Sequence, residues 1–170
     1  TKWRGVISID DGIPTRHCID TNAHALARFA ALSQKSGLVP IVEPEVLMDG
    51  NHDIDQCFEV TESTLREVFY QLAQHNVSLE GCLLKPNMVL SGGSAVNRAG
   101  AEEVAEKTLA CFKRVVPAAV PGIVFLSGGQ SDDEATLNLD AINKCAAKLG
   151  APWQLSFSFG RGLQQATLKA

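Results

Sequence analysis

Apolar residues along the chain fall into two alternating kinds of segment. Five short runs are strand-like, with apolar residues that are either nearly continuous or alternate with polar ones, and they lie at residues 3–9, 38–46, 81–89, 122–126 and 153–159. Each of the first four runs is followed by a longer segment whose apolar residues recur every three or four positions, which is typical of an amphipathic helix. These helices are predicted at residues 20–36, 61–77, 101–116 and 131–149. The pattern therefore predicts a βαβαβαβαβ chain.

Strands that alternate with helices form a parallel sheet, either in an open doubly wound fold or in a (β/α)8 barrel. Periodicity alone does not separate these two α/β folds. Polar side chains, however, lie near the ends of several predicted strands, namely Glu43, Glu45, Lys85, Ser127 and Arg161. A barrel brings all its strand ends to one mouth, whereas distant strands of an open sheet converge less readily. The sequence therefore favours a (β/α)8 TIM barrel.

The predicted barrel is incomplete. A full barrel has eight strands and about 250 residues, but this chain has 170 residues and five predicted strands. The chain also begins at Thr1 without an initiator methionine, directly in a strand-like run. We therefore expect residues 1–170 to form one partial barrel domain of a longer protein.

Composition limits the classes of partner. The chain is 45% hydrophobic and 20% charged, as in ordinary soluble domains, and its net charge of −4 comes without a basic cluster. Neither a nucleic acid nor a membrane is therefore expected as a partner. No apolar run reaches the length of about 20 residues needed to cross a bilayer, and no signal peptide is recognisable. The five widely spaced cysteines indicate free thiols and a cytoplasmic location.

Lys85 is the most unusual charged residue because it lies within the apolar run of residues 81–89. Burial disfavours the charged form of a lysine amine, and a neutral amine can form a Schiff base with a ketone. The other interpretation is a strand lysine whose amine reaches solvent.

Two carboxylates and two cations are candidates for the same site. Glu43 and Glu45 are two residues apart, so both point to one face of a strand, and Pro44 between them indicates that the strand is ending. They are either a solvated strand end or, beside Lys85, a proton-transferring carboxylate and a partner for the amine. Lys2 and Arg4 share one face of the first strand. At the mouth, the charge of Lys2 would favour a neutral Lys85 amine and stabilise oxyanions.

Two late loops are typical of a phosphate site. Ser127, Gly128 and Gly129 follow the fourth strand and precede a helix, where backbone amides and the helix N-terminus favour an anion. Ser158, Gly160 and Arg161 follow the fifth strand and add a guanidinium group suited to phosphate. Neighbouring late loops of a barrel often bind phosphate together. With a buried amine nearby, the pattern indicates a phosphorylated ketone or ketose as substrate.

The histidines give no comparable signal. His17, His24, His52 and His75 have no metal-ligand spacing and belong to no Ser-His-Asp arrangement, so we interpret them as surface or cap residues and expect no metal site. Residues 49–53 resemble a calcium loop only superficially and are predicted to lead into a helix.

Six segments, in the order in which they follow one another along the chain, resemble the class I, Schiff-base-forming fructose-bisphosphate aldolases. The resemblance covers essentially the whole chain. They are Lys2-Trp3-Arg4, residues 37–45, Leu83-Leu84-Lys85-Pro86-Asn87-Met88, residues 115–123, residues 125–131 and residues 157–161. The resemblance implies a (β/α)8 barrel, of which this chain supplies strands four to eight, and a homotetrameric full-length protein. The implied reaction is that of a glycolytic lyase. It reversibly cleaves fructose 1,6-bisphosphate to dihydroxyacetone phosphate and glyceraldehyde 3-phosphate, and it requires neither metal nor cofactor.

The resemblance also implies roles for individual residues. Lys85 would be the Schiff-base lysine, Glu43 the proton-transferring carboxylate, Glu45 its partner near the amine, and Lys2 a cation that assists carbon–carbon cleavage. Arg4 would face the far phosphate of the open sugar. The phosphate nearest the ketone would be held by Ser127, Gly128, Gly129, Ser158, Gly160 and Arg161.

Departures from the family pattern leave other possibilities open. Phe159 stands where the family commonly has tyrosine. The family's first three strands, which carry an aspartate and a lysine used in catalysis, are not in this chain, nor is the mobile C-terminal tail, so we expect little activity from these residues alone. Another lysine-dependent aldolase, such as a transaldolase, and a scaffold that only binds sugar phosphates are the alternatives. A glycolytic organelle is an alternative location.

Overall fold

Strands and helices alternate along the whole chain, which confirms the predicted α/β class. The computed structural model describes the backbone of residues 1–170 and the side chains of residues 1–165 and 167–170. The strands are β1 (Lys2–Ile7), β2 (Ile41–Val46), β3 (Leu83–Leu84), β4 (Gly122–Phe125) and β5 (Gln154–Phe157). The helices are α1 (Arg16–Lys35), α2 (Ile54–Gln74), α3 (Ala101–Val115), α4 (Asp132–Leu149) and α5 (Arg161–Lys169).

The five strands form one parallel sheet in the order β1-β2-β3-β4-β5. A doubly wound sheet reverses its strand order at a switch point, and this sheet does not. Successive right-handed crossovers in one direction place the connecting helices on the same face of the sheet, where α1 packs on α2, α2 on α3, and α3 on α4. The other face carries the polar side chains described below.

Alternation along the strands separates a buried layer from a polar layer. Val42, Leu84 and Ile123 are each at most 2% exposed and belong to the apolar clusters shared with the helices. Phe112 of α3 and Phe125 of β4 stack with ring centroids 5.8 Å apart in the same core. Because successive strand residues point to opposite faces, this packing directs Glu43 and Glu45 away from the helices.

Two helices begin earlier than predicted because polar caps, rather than apolar stripes, set their first residues. Thr15 accepts a hydrogen bond from the amide of Cys18, and Asp53 forms a capping box with Gln56. Asp53 lies in the segment that the sequence predicts to lead into a helix, and this expectation is confirmed. Among the described residues, no helix combines the length and apolar content needed to cross a membrane.

The third strand and the last helix also differ from the prediction. β3 contains only two residues, since Pro86 follows closely and has no amide hydrogen to donate to a ladder. Helix α5 was not predicted, because the sequence beyond residue 160 has few apolar residues to mark a stripe.

The histidines lie mostly where expected. His17 and His24 are exposed, and His75 caps the end of α2. The prediction for His52 is wrong, because its side chain is only 4% exposed. His52 lies in the loop after β2, and its backbone carbonyl accepts a hydrogen bond from the amide of Gly92, in the segment after β3, at 2.8 Å. The local sequence does not encode this tertiary contact.

Candidate active site

A cavity of about 420 Å³ opens on the polar face of the sheet, towards the carboxyl ends of the strands. Its lining comprises Lys2, Arg4, Glu43, Glu45, Lys85, Leu126, Ser127, Gly128, Ser158, Gly160 and Arg161. Every predicted site residue except Gly129 is in this set. Gly129 lines an adjoining cavity of about 260 Å³, which shares Gly128 and Arg161 with the first. The fold therefore brings together residues that are up to 159 positions apart in the sequence, from Lys2 to Arg161.

Glu43 lies between two amines. Its Oε1 atom is 3.4 Å from Nζ of Lys85, and its Oε2 atom is 2.9 Å from Nζ of Lys2. Lys85 directly follows β3, and its backbone amide donates to the carbonyl of Val42 at 2.8 Å. The Lys85 side chain is 12% exposed and that of Glu43 is 5% exposed, so little solvent separates them. A carboxylate in this position can exchange a proton with either amine or with a group bound between them.

Glu45 pairs with Arg4 instead of with the lysine. Nε of Arg4 donates to Oε2 of Glu45 at 2.5 Å, and the Glu45 side chain is buried. This hydrogen bond raises the pKa of the Arg4 guanidinium above its usual value, in opposition to partial burial. Glu43, rather than Glu45, is therefore the carboxylate beside Lys85. Arg4 lies opposite Glu43 in the strand register, and its side chain reaches Glu45 by leaning along the strand.

The loop after β4 requires its glycines. Gly128 and Gly129 have φ angles of +62° and +93°, which side-chain-bearing residues rarely adopt. A Cβ atom on Gly128 would lie 2.8 Å from Cδ1 of Leu126. Ser127, which is buried, precedes this turn at the cavity wall. The backbone of the loop can therefore approach a bound group more closely than a loop with side chains could.

Two buried residues that sequence reasoning missed hold this loop. Nε2 of Gln130 donates to the carbonyl of Ser127 at 2.8 Å, and Nδ2 of Asn138 donates to Oε1 of Gln130 at 2.7 Å. Both side chains are buried. A buried polar side chain needs hydrogen-bond partners. The one signal for this pair in the sequence was that Asn138 lies on the side of α4 that faces the core.

The loop after β5 supplies the cationic side of the cavity. The amide of Ser158 donates to the carbonyl of Phe125 at 2.8 Å, which ties this loop to β4. Gly160 and Arg161 then begin α5, whose first turn has no acidic residue. The first turn of α4 carries three acidic residues, and these oppose a second anion at that helix end. The contribution of the α4 N-terminus to phosphate binding stays a prediction, and Arg161 supplies a positive charge at the start of α5.

Four basic side chains and two carboxylates face one another in this cavity, within a chain whose net charge is −4. The local excess of positive charge favours an anionic small molecule. In the described residues, no group of three or more histidine, cysteine, aspartate or glutamate side chains could hold a metal ion. The side chains that line the cavity supply an amine, two carboxylates and groups that can bind an anion.

Comparisons with known proteins agree on one family. The family model described as fructose-bisphosphate aldolase class-I matches residues 1–170. A probable fructose-bisphosphate aldolase class 1 of Xanthomonas campestris is 56% identical over 168 residues, which cover 99% of this chain and 49% of that protein. The cytoplasmic isozyme 2 of Pisum sativum is 54% identical over 99% of this chain and 46% of its own length.

The structural comparison gives the same result. The fructose-bisphosphate aldolase of Plasmodium falciparum, solved in complex with TRAP and a small-molecule inhibitor, matches with a TM-score of 0.93 and 48% identity, over 99% of this chain and 48% of that chain. This chain therefore spans about half the length of the relatives it matches.

Proposed function

This chain belongs to the class I fructose-bisphosphate aldolase family, and on this premise we propose that it carries the imine-forming half of an aldolase active site. The reaction is the reversible cleavage of fructose 1,6-bisphosphate to dihydroxyacetone phosphate and glyceraldehyde 3-phosphate. The observation that carries the proposal is the short distance of 3.4 Å between the Lys85 amine and Glu43, in a cavity that Arg161 also lines.

Lys85 is the proposed nucleophile. Its neutral amine attacks the ketone carbon, and the resulting carbinolamine loses water to form an imine. Glu43 lies within reach of the same amine and transfers the protons that these two steps require. A carboxylate then takes the proton of the hydroxyl group beside the breaking carbon–carbon bond, the protonated imine accepts the electron pair of that bond and becomes an enamine, and the aldehyde product leaves. Lys2, on the other oxygen of Glu43, supplies positive charge beside the reacting groups.

The two ends of the substrate require different groups. The glycine loop, Ser158 and the start of α5 at Arg161 hold the phosphate nearest the ketone, through backbone amides and a guanidinium. Arg4 is the proposed contact of the far phosphate. Because Arg4 already pairs with Glu45, a phosphate there competes with or joins this ion pair, and Glu45 serves to orient the guanidinium.

The architecture proposed for the whole protein is a (β/α)8 barrel, of which residues 1–170 are one partial domain with strands four to eight. The sequential strand order and the coverage of about half of each relative support this assignment. The remainder supplies the aspartate and lysine that the family pattern places on the first three strands. We further propose a homotetrameric full-length protein in the cytoplasm, the compartment in the name of the Pisum sativum relative.

Borohydride trapping tests the proposed nucleophile. Incubation of the chain with dihydroxyacetone phosphate and sodium borohydride should reduce the imine to a stable adduct, which peptide mass mapping places on Lys85. Lys85→Met should abolish the adduct, and Lys148→Met, at an exposed lysine in the last turn of α4, should leave it unchanged. No adduct, or an adduct on another lysine, would refute the proposal.

Cleavage assays of the same chain separate an enzyme from a scaffold. We expect imine formation with little cleavage of fructose 1,6-bisphosphate, because the groups from the first three strands are needed for carbon–carbon cleavage. Full turnover by these 170 residues would contradict that expectation. Binding of the bisphosphate without any imine would instead favour a sugar-phosphate scaffold.

A further inference from the structure

The backbone ladder between β2 and β3 stops at the height of the proposed catalytic residues. The amide of Leu83 donates to the carbonyl of Pro40 at 3.0 Å, and that of Lys85 donates to Val42 at 2.8 Å. In a regular parallel ladder, the next donor on β2 would be residue 44, which is a proline and has no amide hydrogen. β2, which carries the two carboxylates, and the segment of Lys85 therefore lack one backbone hydrogen bond beside the proposed catalytic residues.

The side chain of Asn87 replaces this connection. The amide of Val46, the last residue of β2, donates to Oδ1 of Asn87 at 3.0 Å. In a regular ladder that amide would donate to a backbone carbonyl, so the side-chain oxygen acts as a substitute for the backbone. The Asn87 side chain is 3% exposed, and solvent does not compete for the bond.

Asn87 is itself held from two sides. Its Nδ2 atom donates to Oγ1 of Thr61, on α2, at 3.1 Å and to the carbonyl of Met88 at 3.0 Å. Both donor hydrogens and the carbonyl oxygen of this amide are therefore used, which fixes its orientation. Thr61 is 1% exposed and lies on the buried side of α2. The helix, the end of β2 and the segment after β3 are thus joined through one side chain.

We propose that Asn87 is a positioning residue, which holds the end of the carboxylate strand at a fixed distance from the imine-forming Lys85. Val46 directly follows Glu45, and Asn87 is two residues beyond Lys85. The hydrogen bond from Val46 to Asn87 therefore joins the carboxylate strand to the lysine segment within two residues of the site on either side. This inference rests on the proposed function. Small displacements of reacting groups lower rates strongly, about a hundredfold for 1 Å, and a group that prevents them contributes to the reaction without touching substrate.

The first readout is independent of chemistry. In Asn87→Ala, the Val46 amide loses its acceptor, and its hydrogen exchange measured by NMR should accelerate at least about tenfold relative to the wild type. Exchange at Ile123 in β4 should stay unchanged, because the backbone hydrogen bonds between β4 and β5 do not involve Asn87. Ser33→Ala, which removes a buried hydroxyl group whose hydrogen bond lies within α1, is the matched control and should leave both rates unchanged.

The second readout separates positioning from general loss of structure. The rate of imine trapping with saturating dihydroxyacetone phosphate should fall about tenfold or more in Asn87→Ala. The dissociation constant for inorganic phosphate should stay within about twofold, since the phosphate loops follow β4 and β5. Thr61→Val keeps the acceptor for Val46 but removes one support of Asn87, so an intermediate fall is expected. It also provides the test if Asn87→Ala does not fold.

The outcomes distinguish this inference from the proposed function. Wild-type exchange at Val46 and wild-type trapping in Asn87→Ala would overturn the inference, as would equal losses of trapping and phosphate binding. If the wild type itself forms no imine, the proposed function fails. The Val46 exchange rates then decide separately whether Asn87 holds the end of β2.

Discussion

His52 is a buried base without a partner. Neither ring nitrogen accepts or donates a hydrogen bond within the described residues, and the side chain is 4% exposed. Desolvation lowers the pKa of His52 below its usual value, and the charge of Asp53 opposes this shift only in part. The folded chain therefore holds this imidazole neutral at pH values where the unfolded chain already binds a proton.

Stability should consequently fall in mild acid. Because the pKa is lowered on folding, the His52 contribution is fully present above the unfolded value of about 6.5 and is lost as the pH falls below it. Urea unfolding between pH 7 and pH 5 should show this decline, with a slope from His52 of at most about 1.4 kcal/mol per pH unit. His52→Phe should reduce the slope, whereas His17→Gln, at an exposed histidine, should retain it. Equal slopes in all three proteins would show that His52 does not titrate on unfolding.

Single site residues were predictable where a charged side chain stands in a segment that the sequence predicts to be a buried strand. A lysine in an apolar run and two glutamates around a proline led to the amine and to the carboxylate beside it. The pairing was less predictable, because strand register and the lean of side chains decide that Glu43, and not Glu45, lies next to Lys85. His52 and Asn87 were missed, since their partners or their burial arise from elements far away in the sequence.

At the scale of elements, the loops after β2 and β3 are joined to each other. The amide of Gly92 donates to the carbonyl of His52 at 2.8 Å, that of Gly93 to Met48 at 2.7 Å, and that of Ser94 to Gly50 at 2.9 Å. These bonds hold two neighbouring loops beside the cavity that Gly129 lines. The backbones approach so closely that a Cβ atom on Gly92 would overlap the carbonyl of Gly50.

The two adjacent glycines offer a matched pair of variants. Gly92→Ala must push the backbone of the Gly50 loop away, and it should destabilise the chain by about 1–3 kcal/mol, the usual cost of overpacking. At Gly93 the new methyl group would meet Cε of Met48 at 3.6 Å, an ordinary contact. Gly93→Ala should therefore change the free energy of unfolding by less than about 0.5 kcal/mol. Similar urea midpoints for both variants would contradict the close approach at Gly92.

Elements were predictable where one local signal dominates. Helix α4 was predicted at residues 131–149, and in the structure Ser131 is its N-cap and Gly150 its C-cap. The early starts of α1 and α2 were missed, because their first turns precede the apolar stripe that was used to locate them. The length of β3 was overestimated, because the apolar run continues past Pro86 whereas the regular strand pairing stops before it.

At the scale of the whole molecule, the alternation of strands and helices was sufficient to predict a parallel sheet, and the clustering of polar strand ends was sufficient to predict a shared cavity.

The edge of the sheet at β1 is a surface on which another molecule could pack. β1 pairs with β2 alone among the described strands, and beside it lies an apolar groove of about 470 Å³ lined by Trp3, Phe29, Leu32 and Leu38. Trp3 and Leu32 are both more than half exposed. A free strand edge beside an apolar groove is a surface that favours association.

The isolated 170 residues should therefore associate through this edge. Sedimentation velocity should show a sedimentation coefficient that rises with concentration for the wild type. Leu32→Lys places a charge in the groove and should shift the equilibrium to the monomer, because burying an unpaired ammonium group opposes contact. Leu137→Lys makes the same change at an exposed leucine of α4, outside the groove, and should behave like the wild type. A wild type that stays monomeric at all concentrations would contradict this prediction. Equal dissociation by both lysine variants would place the contact elsewhere.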